Sequence, residues 1–75
     1  MKKIVSIRRP VNGNAKQNSY ELVWIETRPG GTSEYSARVK RTDDGDWLQY
    51  MHGYWYLLEN QEIIEKYFQK NGVDN

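Results

Sequence analysis

Apolar and polar residues alternate with a period of two through much of the chain, and the period lengthens to that of a helix only near its end. Residues 3–9 form the first predicted strand, with Val5 and Ile7 on one side and Ile4, Ser6 and Arg8 on the other. Pro10 cannot donate to a ladder and helps end it. Val11, Asn12, Gly13 and Asn14 open a polar turn or loop reaching about Asn18. Residues 20–27 form a second strand, in which Leu22, Val23, Trp24 and Ile25 put apolar material on both faces. Such a strand belongs in the middle of a sheet or against a partner. Arg28, Pro29, Gly30, Gly31 and Thr32 break it.

Residues 33–41 alternate most regularly: Tyr35, Ala37 and Val39 share one side, Ser36, Arg38 and Lys40 the other. Thr42, Asp43, Asp44, Gly45 and Asp46 make the next turn. Their three carboxylates are too compressed for an EF-hand loop, which needs a distant bidentate Glu. Residues 47–58 hold five of the ten aromatic side chains and fit either one bulged strand or a hairpin reversing near His52 and Gly53. Asn60 is placed to cap a helix, with Glu62 and Glu65 near its N-terminal end, Lys70 near its C-terminal end, and Asn71 and Gly72 as a stop. Ile63, Ile64, Tyr67 and Phe68 form its apolar stripe, and Val73, Asp74 and Asn75 are expected to fray.

These elements predict one α+β domain over residues 1–75: an antiparallel meander of three to five strands packed by a single C-terminal helix. A barrel-like sheet is the alternative. Leu, Ile, Val and Phe supply only a fifth of the 75 residues, so three Trp and six Tyr must complete the core. A domain this small has a stability of about 4–11 kcal/mol. It contains no cysteine, so neither disulfides nor thiolate zinc sites reinforce it, and a cytoplasmic setting is the natural expectation. The apolar run from Ile4 to Ile7 between Lys3 and Arg8 is too short for targeting or membrane passage.

A formal net charge of +1 conceals two unlike halves. Residues 1–41 carry nine basic against three acidic side chains, and residues 42–75 two against seven. The first half can present a positive surface, and the second can pair with it or recruit another copy.

The residues offer little catalytic chemistry. His52 is the single histidine and is explained by a turn; Glu62 and Glu65 are explained by the helix end they occupy. Gly30 and Gly31 lack the downstream Lys and hydroxyl residue of a phosphate loop. The chain is therefore expected to be non-enzymatic, without cofactor or metal.

Binding has a clearer route. With Val5, Ile7, Val23, Ile25, Tyr35, Ala37 and Val39 turned toward the helix, the opposite sheet face would present Tyr20, Leu22 and Trp24 between Arg8 and the pair Arg38 and Lys40. That aromatic, partly basic surface suits a protein-interaction or regulatory module whose partner is another protein or a second copy of itself. The alternative is a single-stranded DNA or RNA binder stacking bases on Tyr20 or Trp24, against which Glu26 and Glu34 count. A purely structural domain is the third reading.

Overall fold

The computed structural model describes residues 2–9 and 19–73. Five antiparallel strands follow in chain order: β1 (Lys2–Arg8), β2 (Ser19–Arg28), β3 (Gly31–Arg41), β4 (Trp47–Met51) and β5 (Tyr54–Leu57). The helix α1 (Gln61–Asn71) packs on one face of their sheet, so the α+β meander is the observed architecture. Each strand neighbours the next, which leaves β1 and β5 as the two edges of an open sheet. The loop expected over residues 11–18 lies outside the described residues.

The turns set the registers. β2 and β3 are joined through Pro29 and Gly30, with Arg28 opposite Gly31, so Tyr20 falls opposite Val39, Leu22 opposite Ala37 and Trp24 opposite Tyr35. Directly opposed residues share a face. Tyr20, Leu22 and Trp24 therefore lie on the helix side with Ala37 and Val39, and Val23 and Ile25 lie on the outer side. This reverses the face expected for β2.

In β1, the pairing of Ile4 with Trp24 and of Ser6 with Val23 leaves Val5 as an extra residue, a β-bulge. The bulge shifts the alternation by one, so Ile4 and Ile7 both enter the core and Val5 is exposed, the opposite of the regular pattern for Ile4 and Val5. The 47–58 segment is a hairpin. His52 and Gly53 both have positive φ, 51° and 87°, as a two-residue type I′ turn requires.

The core consists of Ile4, Ile7, Leu22, Val39, Trp47 and Ile64, with Tyr20, Trp24, Ala37, Leu58, Tyr67 and Phe68 packed around it. Trp47 is fully buried, and its ring meets Phe68 edge-on at 5.3 Å. Ile63 departs from the predicted stripe and is exposed. Asn60 occupies the N-cap position with φ 56°, but its side chain makes no capping bond; its carbonyl accepts from the Ile63 N–H at 3.2 Å instead. Gly72 ends the helix with φ 67°, donating to the Phe68 carbonyl at 2.8 Å. Val73 packs against the core rather than fraying.

Helix and sheet are tied at one polar node. Glu65 accepts from Arg41 Nε and Nη2 at 2.8 and 2.9 Å, from the Trp47 indole N–H at 2.8 Å and from Gln69 at 2.6 Å. The Gln61 side chain accepts from the Trp47 backbone N–H at 2.8 Å. The bonds from Arg41, with those from Gln69 and Trp47, outweigh partial burial and hold the Glu65 carboxyl down at about 2.

Candidate interaction surface

The six residues expected to form one surface divide between two faces. Leu22 is in the core, and Tyr20 packs on it within 6.2 Å of both Trp47 and Phe68. Trp24 stacks on Tyr35 at 5.8 Å, lies under the Lys2 ammonium at 4.7 Å and donates its indole N–H to Glu26 at 3.1 Å. That bond, with Arg28 and Lys2 nearby, lowers the Glu26 carboxyl pKa. Arg8, Arg38 and Lys40 occupy the outer face, where Arg8 is bound by Glu21 at 2.7 Å.

Different aromatics accompany Arg38 and Lys40. The β4 and β5 hairpin pairs Tyr50 with Trp55 and Leu48 with Leu57, and the opposition of Lys40 to Leu48 puts all four on the outer face. The Arg38 guanidinium lies 5.8 Å from the Tyr50 ring centre and the Lys40 ammonium 4.3 Å from that of Trp55. The two rings meet edge-to-face at 5.3 Å. Among the described residues neither cation has a carboxylate within ion-pair distance. Their charge is held over ring faces, an arrangement that leaves it available to an incoming anion.

This cluster lines an open cleft of about 650 Å³, completed by Ser19, Arg41, Thr42 and Asp43. Its volume is within the range of about 300–1,000 Å³ usual for ligand clefts. Glu21, opposite Arg38, and Asp43 bound the positive zone. Tyr50 and Trp55 are the functional candidates that the sequence left unresolved. A hairpin reversing at His52 and Gly53 is the signal that places them, because a two-residue turn puts Tyr50 opposite Trp55.

The two sheet edges differ. β1 carries Lys2, Lys3 and Arg8, is bulged at Val5, and has its Val5 carbonyl occupied by the Tyr67 hydroxyl at 2.9 Å. Charge and bulging are the usual protections of an edge. β5 reads Tyr54, Trp55, Tyr56, Leu57 with neither charge nor proline, and Tyr54 and Leu57 are 68% and 62% exposed.

Among the described residues no group of three or more potential ligands gathers as a metal site, and no helix is long and apolar enough to cross a membrane. In comparisons with known proteins, no family model, curated protein or solved structure matches the chain.

Proposed function

We propose that this domain is a non-enzymatic protein-interaction module whose outer face docks an acidic segment of a partner. The observation that carries the reading is the pair of cations, Arg38 and Lys40, held over Tyr50 and Trp55 without carboxylate partners among the described residues. Arg, Tyr and Trp are the side chains that dominate protein interfaces, since each offers apolar area and directed polar contacts together. The rings supply a partly exposed apolar floor, and the cations complement a carboxylate laid across it.

Single-stranded nucleic acid is the second reading, favoured by the same juxtaposition of rings and cations. The short positive zone weighs against it. A strand tracking several phosphates would leave Arg38 and Lys40 and meet Glu21, Glu34 or Asp43.

The test is an NMR titration of the labelled protein with a synthetic peptide of alternating Glu and Phe and, separately, with dT and U oligomers, each at low and moderate salt. Saturable shifts at Arg38, Lys40, Tyr50 and Trp55 with the peptide, lost in Arg38→Glu/Lys40→Glu, are the expected result. Saturation by oligonucleotide alone would replace this reading with the second, and shifts with neither would overturn it.

A further inference from the structure

We propose that β5 is a homodimerisation edge, pairing antiparallel with β5 of a second copy to make one continuous ten-stranded sheet. The inference does not rest on what the outer cleft binds, although Trp55 belongs both to that cleft and to β5. In a hairpin closed by two residues, Met51 and Tyr54 exchange backbone hydrogen bonds, and bonded pairs then alternate with non-bonded ones. The Leu58 N–H, donating to the Trp47 carbonyl at 3.0 Å, continues that alternation past the strand end. Tyr54 and Tyr56 thus spend their backbone groups on β4. The N–H and C=O groups of Trp55 and Leu57 point away from the sheet.

Those four groups define a single best register for self-pairing. With Tyr56 opposite Tyr56 of the second copy, Trp55 faces the partner's Leu57 and Leu57 the partner's Trp55, so every outward group is bonded. Moving the centre to Trp55 keeps the faces aligned but sets Leu57 against the turn glycine, Gly53. A one-residue slip would set outer-face side chains beside helix-side ones and cannot be made by a two-fold axis normal to the sheet.

Side-chain chemistry agrees with a second copy as the occupant. The chosen register pairs aromatic with aliphatic and Tyr with Tyr, combinations that favour cross-strand association. It opposes no like charges, because β5 has none and Glu59 falls beside the partner's Gly53 and His52. The competing edge, β1 of another copy, is spoiled as a template by its bulge and by Tyr67 on the Val5 carbonyl. The two-fold axis is normal to the sheet and keeps both outer clefts on one side of the assembly.

The natural absence of cysteine makes the register directly testable. Sedimentation of the protein over a wide concentration range is expected to show a dimer. Under mild oxidation Tyr56→Cys should form a disulfide-linked dimer much faster than Ser33→Cys, a control at an exposed site near the far end of β3, because the central Tyr56 pair is non-hydrogen-bonded and close. Leu57→Pro removes only an outward N–H and should sediment as a monomer with unchanged far-UV circular dichroism. Should that variant fail to fold, Leu57→Lys gives the same readout by placing an ammonium at each side of the seam. Monomeric protein at every concentration would overturn the proposal. So would equal cross-linking at positions 33 and 56, or a dimer that survives both Leu57 substitutions.

Discussion

Arg41 grips both carboxylate oxygens of Glu65, at 2.8 and 2.9 Å, across 24 residues of sequence. The pair joins the end of β3 to α1 and, with them, the basic half of the chain to the acidic half. Part of the excess charge in each half is therefore used to hold the fold together, while Arg38 and Lys40, on the same strand as Arg41, face the other way.

The depressed Glu65 carboxyl makes stability acid-sensitive. Its folded value, about 2, lies below the ordinary 4.5 that it regains on unfolding. Its contribution is present in full above pH 4.5 and is lost as pH falls from there toward 2. Glu65→Gln should lower the urea midpoint at neutral pH and flatten the decline through that window. An unaltered acid limb in a pH series of urea melts would count against Glu65 as its source.

Trp47 is the largest fully buried side chain and donates to Glu65 as well. Trp47→Ala should cost about 3–5 kcal/mol, a large share of the roughly 4–11 kcal/mol available to so small a domain. Trp47→Phe should cost less, since Arg41 and Gln69 still satisfy the carboxylate. Equilibrium unfolding of the two variants measures the difference.

The hairpin turn places His52 in the left-handed region, at a type I′ position where Asn followed by Gly is the favoured pair. His52→Asn should stabilise by up to about 1 kcal/mol, roughly a 4–8 °C rise in Tm for a domain of this size. Gly53→Ala, at φ 87°, should destabilise by about 1–2 kcal/mol. Calorimetry of both variants checks the opposite signs.

Deleting Val5 tests the protection of β1. One-to-one pairing would then run from Ile4 opposite Trp24 through Ser6 opposite Val23 to Ile7 opposite Leu22, so both isoleucines keep their core positions and the domain should fold. The edge would be regular and its Tyr67 contact at Val5 gone. Sedimentation is expected to show species larger than those formed by the full chain; an unchanged profile would mean the bulge does not guard this edge.

Element types were legible because they depend on local pattern: alternation through 33–41, glycine and aspartate at 42–46, and a helical period ending at Gly72. The relation between strands was not. Facing depends on whether a turn pairs even with odd positions and on a single extra residue, so the connection at Pro29 and Gly30 and the bulge at Val5 turned Tyr20, Leu22, Trp24 and Ile4 to the side opposite that expected. The helix stripe erred by one residue for a similar reason: Ile64 meets the sheet, and Ile63, a step of about 100° away, turns to solvent. On the binding surface, Arg38 and Lys40 were identifiable from their alternation, whereas Tyr50 and Trp55 required the hairpin to be chosen over the bulged strand.

The packing of α1 on one face of the sheet has a consequence for synthesis. All five strands precede α1 in the chain, so Leu22, Val39 and Trp47 are synthesised before the element that shields them. The Arg41 and Glu65 clasp closes only once α1 is available, and a sheet that formed ahead of it would leave its apolar side uncovered.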